Sequence, residues 1–478
     1  MKDDKGITVE KDDFSQWFTE LMIKADLADY SKVSGCIVFK PGSFAIWEKL
    51  TREIDDQFKK IGIKNAYFPL FIPESLLVKE SDHIAGFTPE VAWVTHAGNK
   101  KLDERLAVRP TSEAIIYDSY AKWIRSWKDL PMRLNIWNSV VRWEFKHPVP
   151  FLRTREFLWQ EGHHAYATHA ELLKDRDLIL EIYTNFLKNF MALPGLVGKK
   201  TDKEKFAGAI DTYSIEFVMP NGKAIQGPDY HDDGQNFAKA YDIAFLDEAG
   251  KKQHAFQSTY AITTRMLGVM FAMHSDDKGL VIPPQLAPRK IVIVPILTKE
   301  GKSSVLKEAE KLHKELGEFD AFVDDREDYS PGWKFSEWEL KGIPLRIEIG
   351  PKDLEKNQAI IVKRNNGSKK AVKNRAVKKE CSRLLDEMQH ELYERAEKLL
   401  KSKISEADSI DELKKIVLDK KIALVPLCSS HACEEMIKEK TGGIKTLNMP
   451  LKQPKIEGKK CIACKKKASY VVYMGKSY

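Results

Sequence analysis

Apolar side chains recur at helical spacing along several segments of the chain. Over residues 44–61, Ile46, Leu50, Ile54, Phe58 and Ile61 lie on one face, which predicts an amphipathic helix. Further helical patterns cover residues 171–190, 265–274, 303–316, 332–341 and 379–403. Stripes of this kind predict helices that pack one face on a hydrophobic core.

Strand-like segments lie between these helices. Residues 134–145 alternate apolar and polar positions, and residues 152–160 suit an antiparallel partner with residues 146–151 as the turn. Other predicted strands cover residues 65–71, 240–246, 255–260, 291–296, 321–324, 345–349 and 359–363. The mixture predicts an α+β protein.

Three prolines within residues 283–288 mark a boundary, because proline stops helices. The first region, residues 1–284, carries the candidate catalytic groups. In the second region, residues 285–403, strands and helices alternate, which predicts a small α/β domain with a mixed sheet. The remainder, residues 404–478, forms a third domain.

The charge is slightly positive and unevenly distributed. The chain has 78 basic and 70 acidic residues, a net charge of +8. Residues 363–379 contain eight Lys or Arg and no acid, and residues 451–478 contain eight Lys and one acid. Clustered positive charge is typical of a polyanion-binding surface, and a solvated face is the alternative. The charged start of the chain and the absence of a long apolar stretch predict a cytoplasmic protein.

Four of the six cysteines lie near the end of the chain, at positions 428, 433, 461 and 464. Two closely spaced pairs suit a tetrahedral zinc site with Cys428, Cys433, Cys461 and Cys464 as ligands. Such a zinc ion would be structural, since four thiolates leave no open position. A redox dithiol formed by Cys461 and Cys464 is the alternative.

The segment Arg109-Pro110-Thr111-Ser112-Glu113 is a candidate binding site for an amine. A hydroxyl and a carboxylate supply the acceptors that an ammonium group needs. The competing interpretation is a helix cap, in which Thr111 or Ser112 caps a helix that starts near Glu113.

Two further segments have the residues for nucleotide binding. In the predicted hairpin, Arg142 could bind a phosphate, Glu144 could accept from an adenine amine, and Phe157 could lie under the base. Cross-strand ion pairs between its arginines and glutamates are the alternative. At the start of the helix over residues 265–274, Arg265 could reach a phosphate or could be an ordinary surface arginine.

The order and spacing of these segments resemble the second and third signature motifs of class II aminoacyl-tRNA synthetases. The wording at residues 109–113, 151–163 and 234–237 is similar to the prolyl-tRNA synthetase family, in its archaeal and eukaryotic type. The resemblance covers essentially the whole chain. About 100 residues separate Phe157 from Thr263, too few for the large editing insertion of the bacterial type.

The resemblance implies an antiparallel catalytic sheet flanked by helices, an α/β anticodon-binding domain and a small zinc-bearing C-terminal domain. It implies the activation of proline by ATP with Mg²⁺ and the transfer of proline to tRNA(Pro), in a homodimer. Arg142 and Arg265 would be the catalytic residues. The proline site would comprise Thr111, Glu113, Arg142, Trp159, Glu161, His163 and His231. The ATP site would comprise Arg142, Glu144, Arg153, Thr154, Phe157, Gln226 and Arg265.

The second domain would read the proline anticodon, with Lys334, Glu339, Arg346 and Glu348 as candidates and surface charge as their alternative role. The sequence departs from the family at residues 228–233, Pro-Asp-Tyr-His-Asp-Asp, and at residues 259–262, Thr-Tyr-Ala-Ile. Both segments are expected near the substrate pocket. Two other functions stay open at this point: a class II synthetase of another small-amino-acid specificity, or a non-catalytic synthetase-like RNA-binding protein.

Overall fold

The computed structural model describes residues 6–83, 90–144, 147–298 and 301–478. Its first region contains the helices α1 (Phe14–Lys24), α2 (Pro41–Lys60), α3 (Glu74–His83), α4 (Glu113–Trp123), α5 (His169–Asn189), α6 (Asn236–Tyr241) and α7 (Arg265–His274). Its strands are β1 (Ala28–Tyr30), β2 (Ile37–Phe39), β3 (Lys64–Asn65), β4 (Phe71–Pro73), β5 (Trp93–Ala97), β6 (Lys100–Val108), β7 (Met132–Val141), β8 (Glu156–Tyr166), β9 (Leu196–Lys199), β10 (Asp211–Val218), β11 (Ala224–Gly234), β12 (Ala244–Leu246), β13 (Lys252–His254) and β14 (Phe256–Thr263).

The centre of this region is an eight-stranded sheet in the order β23-β9-β10-β11-β14-β8-β7-β3, where β23 (Met449–Pro450) comes from the third region. All neighbours are antiparallel except β3 and β7. The largest core includes residues of α1, α2, α5 and α7 packed with residues of this sheet. This is the antiparallel sheet with flanking helices that the sequence predicts.

The second region is a five-stranded mixed sheet with helices. It comprises β15 (Ile291–Pro295), β16 (Phe322–Val323), β17 (Leu345–Ile349), β18 (Gln358–Lys363), β19 (Lys369–Lys373), α8 (Lys302–Glu315), α9 (Pro331–Leu340), α10 (Pro351–Glu355) and α11 (Val377–Ser402). The apolar stripe of α8 packs on this sheet. The segment over residues 283–288 contains no regular element and joins the two regions.

The third region comprises β20 (Ile404–Glu406), α12 (Ile410–Leu418), β21 (Ile422–Leu427), α13 (His431–Thr441), β22 (Lys445–Thr446), β23 and β24 (Tyr470–Gly475). Besides the pairing of β23 with β9, Asn448 Nδ2 donates to the carbonyl oxygens of Leu196 at 2.8 Å and Ser214 at 3.0 Å. The third region is therefore joined to the catalytic sheet by backbone and side-chain hydrogen bonds.

Four predicted strands differ from the structure. Between β3 and β4 the chain around Pro69 is irregular, because proline cannot donate to a ladder. Residues 236–241 are helical and end at Asp242 in the left-handed conformation, with a strand only from residue 244. The strand over residues 134–145 ends at Val141, and Phe145 lies outside the described residues. The strand over residues 152–160 starts at Glu156, after a turn in which Phe151 has a φ of 61°.

No helix among the described residues is long and apolar enough to span a bilayer.

Candidate active site

A cavity of about 530 Å³ opens beside the central sheet. All of the side chains predicted for the proline and ATP sites line it: Thr111, Glu113, Arg142, Glu144, Arg153, Thr154, Phe157, Trp159, Glu161, His163, Gln226, His231 and Arg265. These residues come from segments spread over more than 150 positions. The sheet brings them together because β8, β14 and β11 are consecutive neighbours in it.

Thr111 and Glu113 are nearly buried at the start of α4, and Thr111 Oγ1 donates to the Glu113 carboxylate. Ser112 occupies the N-cap position without making the capping bond, because its hydroxyl donates to Glu161 instead. The helix-cap interpretation therefore does not explain these side chains. A hydroxyl and a carboxylate face the cavity together, which suits the binding of an amine.

Glu161 and His163 form a buried pair on β8, with Glu161 Oε2 3.0 Å from His163 Nε2. Asn138 Nδ2 donates to Glu161 Oε1 at 2.9 Å and fixes that carboxylate. Burial alone would lower the pKa of His163, but the hydrogen bond that its imidazole donates to Glu161, together with the charge of Glu161, outweighs burial, and the pKa lies above its ordinary value. For Glu161, burial opposes ionisation, yet His163 and the other donors hold its pKa below the ordinary value. The contact between the two side chains therefore favours the ionised form of both.

Trp159 lies beside this pair, and its indole N–H donates to Asn138 Oδ1 at 2.6 Å. The same amide thus orients both Trp159 and Glu161. An aromatic face held next to a fixed ion pair forms a rigid wall for a small apolar ring.

Two arginines also line the cavity. Arg142 Nε donates to the carbonyl of Pro110 at 3.0 Å, and its guanidinium lies 5.5 Å from the ring centre of Phe157. Arg265 donates to the carbonyls of Leu152 at 3.2 Å and Gln226 at 3.1 Å. Burial, and next the charge of Arg142, lower the pKa of Arg265. An arginine whose charge is disfavoured by burial and by a second arginine is well placed for a polyphosphate, which would compensate that charge.

The alternative of cross-strand ion pairs does not account for Arg142 and Arg155. Arg142 and Arg155 both donate to backbone carbonyls, and Arg155 also lies over the ring of Trp143, 4.2 Å from its centre. The interpretation of Arg265 as an ordinary surface residue is wrong as well, since its guanidinium lines the cavity and bonds inside it.

The first segment that departs from the family sequence, residues 228–233, lies partly in the cavity and partly behind it. Asp229 lines the cavity and accepts from Gln226 Nε2 at 2.8 Å. His231 bonds Thr212 Oγ1 at 2.9 Å. Asp232 pairs with His169 at 2.7 Å behind the cavity. Asp233 is fully buried, and burial, followed by the charges of Glu113 and Asp232, raises its pKa well above the ordinary value.

The second segment that departs from the family sequence, residues 259–262, affects mostly the core. The ring of Tyr260 is buried, and its hydroxyl bonds His164 Nε2 at 2.8 Å. The ring lies so close to Gly162 that a Cβ on that glycine would be 2.0 Å from it. Thr259 and Ala261, on either side, line the cavity. The change at Tyr260 is thus accommodated by the packing behind the sheet.

Sequence reasoning missed several residues of the cavity. Lys200, Glu204, Phe206 and Ala207, from the turn between β9 and β10, line it together with Thr212. Phe206 stacks on His231 with ring centres 4.5 Å apart. This turn has no recognisable motif, so its position follows only from the three-dimensional fold.

The four C-terminal cysteines meet in one cluster. Their sulfur atoms all lie within 4.8 Å of one another, and Cys428 Sγ is 3.5 Å from that of Cys433 and 3.8 Å from that of Cys464. A tetrahedral zinc ion with sulfur at about 2.3 Å requires sulfur atoms about 3.8 Å apart. A hydrogen bond from the backbone N–H of Lys466 lowers the pKa of Cys464 to about 7. The cluster suits a metal ion better than a redox pair, because all four thiols converge.

The anticodon candidates lie together near α9 and β17. Lys334, Arg346 and Glu348 are buried, so the surface-charge interpretation is wrong for these three. Lys334 Nζ donates to the carbonyl of Asp324 at 2.9 Å, and Arg346 pairs with Glu348 at 2.9 Å. Glu339 is half-buried, and its carbonyl accepts from Arg364. The basic run over residues 363–379 is partly neutralised, since Lys363 pairs with Glu387 and Glu391 and Arg364 pairs with Asp276.

Comparison with known proteins agrees with this architecture. Residues 91–274 match the class II tRNA synthetase core domain (G, H, P, S and T), residues 290–384 an anticodon binding domain, and residues 410–478 the prolyl-tRNA synthetase C-terminal domain. A proline–tRNA ligase of Lachnoclostridium phytofermentans is 47% identical over 99% of this chain and 98% of its own length. One from Natranaerobius thermophilus is 45% identical over 96% of this chain and 95% of its own length.

The crystal structure of Cryptosporidium parvum prolyl-tRNA synthetase, complexed with halofuginone and AMPPNP, superposes with a TM-score of 0.95. It is 42% identical in sequence, and the match covers 99% of this chain and 100% of that one. With an identity of 47% over nearly the full length, the chain belongs to the prolyl-tRNA synthetase family.

Proposed function

We propose that this cavity activates proline with ATP to prolyl-adenylate and then transfers proline to the 3′ end of tRNA(Pro), with the residue roles given below. One observation carries the assignment of roles. The cavity is lined by an amine-binding pair, Thr111 and Glu113, by Arg265, and by Arg142, which bonds Pro110 beside that pair. An amino acid and a nucleotide triphosphate need these two kinds of group in one space.

The proline site comprises Thr111, Glu113, Arg142, Trp159, Glu161, His163 and His231. Thr111 and Glu113 accept from the secondary ammonium group, and Glu113 offsets its charge. Trp159 and the Glu161–His163 pair form the wall against the pyrrolidine ring. The family match and the rigid hydrogen bonding of these side chains support this assignment.

The ATP site comprises Arg142, Glu144, Arg153, Thr154, Phe157, Gln226 and Arg265. The ring of Phe157 supports the adenine base, and Glu144 accepts from the adenine amine. Arg265 binds the γ-phosphate near the start of α7, where the helix dipole adds to its attraction. Arg142 lies within reach of both the proline carboxylate and the α-phosphate.

The activation step is an in-line displacement. A carboxylate oxygen of proline attacks the α-phosphorus, a P–O bond forms, and the bond to the pyrophosphate leaving group breaks. Arg142 offsets the charge that develops on the α-phosphoryl oxygens, and Arg265 orients the leaving group. Mg²⁺ bound to ATP would supply further charge compensation, and Asp229, which lines the cavity near Arg265, is the carboxylate that would hold it. No protein nucleophile is required.

Recognition of tRNA is assigned to the second domain. Lys334, Glu339, Arg346 and Glu348 are the proposed anticodon contacts, because a buried and oriented ion pair offers fixed donors and acceptors to base edges. Domain limits of 1–284, 285–403 and 404–478 complete the proposed organisation.

Zinc is the metal proposed for Cys428, Cys433, Cys461 and Cys464. The sulfur separations of 3.5 and 3.8 Å agree with a tetrahedral thiolate site. The metal would crosslink the turn after β21, α13 and the segment before β24.

Three finer assignments follow from the same resemblance. We assign the chain to the archaeal and eukaryotic type by its architecture, because residues 157–263 leave no room for an inserted editing domain. We also propose a homodimer in the cytoplasm. Sedimentation at micromolar protein would return a single species of twice the chain mass of 54.7 kDa, and a monomer would contradict the dimer.

ATP–pyrophosphate exchange with proline, alanine, cysteine, threonine and serine tests the function. Proline should give the highest kcat/KM. Arg142→Ala should reduce it about 100- to 1,000-fold, since it removes charge stabilisation of the transition state. The control is Arg383→Ala, an exposed arginine of α11 outside the cavity, which should leave exchange unchanged. Preference for another amino acid would indicate a different class II specificity, and no exchange at all would favour a non-catalytic RNA-binding protein.

A further inference from the structure

One wall of the cavity is a loop over residues 201–209, here called the wall loop. Glu204, Phe206 and Ala207 of this loop line the cavity. The backbone N–H of Phe206 donates to Thr212 Oγ1 at 2.9 Å, and the same hydroxyl bonds His231 Nδ1 at 2.9 Å. The position of the wall loop therefore determines both where the ring of Phe206 lies and how the imidazole of His231 is oriented.

The outer side of the wall loop contacts the third region of the chain. Thr201, only 1% exposed, donates from Oγ1 to Glu434 Oε2 at 3.0 Å. Glu434, 4% exposed, also accepts from Thr446 Oγ1 at 2.7 Å. A buried carboxylate needs such donors, because burying it without them is costly. Glu434 thus joins the start of the wall loop to β22.

Two partly exposed ion pairs reinforce this contact. Lys203 pairs with Glu435, and Glu204 pairs with Lys445 at 3.5 Å. The contact is also held at the backbone, because β23 pairs with β9, the strand that leads into the wall loop. The contact therefore spans more than 230 positions of sequence.

The residues of α13 that make this contact follow directly after a cysteine of the cluster. Cys433, Glu434 and Glu435 are consecutive, so the turn of helix that holds Cys433 in the cluster also presents both glutamates. A cluster that fixes α13 fixes the position of Glu434.

We propose that Glu434, supported by Glu435, is a positioning residue for the amino-acid pocket. Through it the third region holds the wall loop in the geometry that places Phe206 and His231 against proline. The inference rests on the proposed function, because it requires proline to bind beside these two side chains. Glu434 contacts no substrate and acts only through Thr201.

Loosening the wall loop should reduce the fraction of molecules with a formed pocket, and the apparent affinity for proline falls by that fraction. Glu434→Gln keeps the size of the side chain and removes its charge, which weakens both hydroxyl hydrogen bonds. We expect the KM for proline to rise about tenfold, within the range of roughly 5- to 150-fold typical of coupled sites. The kcat and the KM for ATP should stay within about twofold, since Arg142 and Arg265 are not part of the contact.

The matched control is Glu439→Gln, at an exposed position of the same helix. It should leave every kinetic constant unchanged. A second test uses charge reversal at the partly exposed pair: Lys203→Glu should raise the KM for proline, and adding Glu435→Lys should restore it. If Glu434→Gln lowers kcat and also raises the KM for both proline and ATP, the variant has a general folding defect and the proposal is overturned.

Hydrogen exchange without substrates separates this inference from the proposed function. In Glu434→Gln, amides of residues 201–209 should exchange faster than in the wild type, while amides of β8 stay equally protected. The metal content per chain should not change. Unchanged exchange in the wall loop would overturn the positioning role, whichever amino acid the enzyme activates. A wild-type enzyme that does not exchange pyrophosphate with proline would overturn the proposed function but leave this readout intact.

Discussion

Glu161 Oε2 lies 3.0 Å from His163 Nε2, and both side chains are almost completely buried on the strand that lines the cavity. Residues two apart on a strand point to the same face, so the two side chains face the cavity side by side. The pKa of Glu161 is lowered and that of His163 is raised, so the contact favours the charged form of both groups. The proposed proline wall thus contains a fixed ion pair.

Glu161→Gln should lower the free energy of unfolding by about 1–3 kcal/mol, because a buried donor loses its charged acceptor. Glu156→Gln, exposed on the same strand, is the control and should be neutral.

The pH dependence of the stability follows from the pKa shifts of His163 and Glu161. The contribution of His163 is complete below its unfolded pKa of 6.5 and is lost as pH rises through the raised value. The contribution of Glu161 is complete above 4.5 and is lost as pH falls through the lowered value.

Urea unfolding across this range should therefore show the largest difference between wild type and Glu161→Gln between about pH 4.5 and 6.5. A difference that is the same at pH 5 and pH 9 would contradict the charged pair.

Gly162, between these two residues, faces the opposite side of the sheet. A Cβ there would lie 2.0 Å from the ring of Tyr260, which is fully packed and bonds His164. Gly162→Ala should destabilise the protein by about 1–3 kcal/mol or more, because the ring cannot move without breaking its packing. Gly317→Ala is the control, since a Cβ at that glycine meets nothing within 4 Å. Thermal unfolding measures both, and equal midpoints for the two variants would show that Tyr260 can shift.

The helices could be predicted from the sequence because their stripes are local. The helices over residues 44–61 and 171–190 occur within three residues of their predicted ends, as α2 and α5. The strands were harder to predict. Strand β11 has carboxylates buried on both faces, Asp232 and Asp233, so it lacks the alternation that marks a half-buried strand. The register of the strands depends on neighbours distant in the sequence.

The candidate site could be predicted from sequence motifs, because its residues cluster in short segments of the chain. What could not be predicted was the wall loop, whose Phe206 reaches the cavity through contacts with His231 and Thr212. Its link to Glu434 crosses more than 230 positions and has no local signal. Contacts of this kind exist only after the sheet has formed.

The cysteine cluster makes a metal prediction possible. The purified protein should contain about one zinc ion per chain, and Cys428→Ser should lose it, because three thiolates bind zinc much less tightly than four. Loss of the metal should lower the midpoint of thermal unfolding, since the ion joins three segments of the third region. Cys36→Ser, at a cysteine outside the cluster, is the control and should keep the metal. Retention of zinc by Cys428→Ser, measured by elemental analysis, would contradict the four-cysteine site.

The buried carboxyl group of Asp233 should give the stability of the protein an unusual pH dependence. It is fully buried, and burial, then the charges of Glu113 and Asp232, raise its pKa well above 3.8. An acid with a raised pKa stays protonated in the folded state while the unfolded chain ionises. Its contribution therefore makes the protein less stable as pH rises above 3.8, by about 1.4 kcal/mol per pH unit while the folded state keeps the proton. Asp233→Asn removes this effect.

Asp233→Asn should thus be more stable than the wild type at pH 7, and the difference should shrink as the pH approaches 4. Urea unfolding at several pH values measures the difference directly. Asp103→Asn, at an exposed position of β6, is the control and should show no such trend. If the difference between Asp233→Asn and the wild type does not change with pH, Asp233 is ionised in the folded protein.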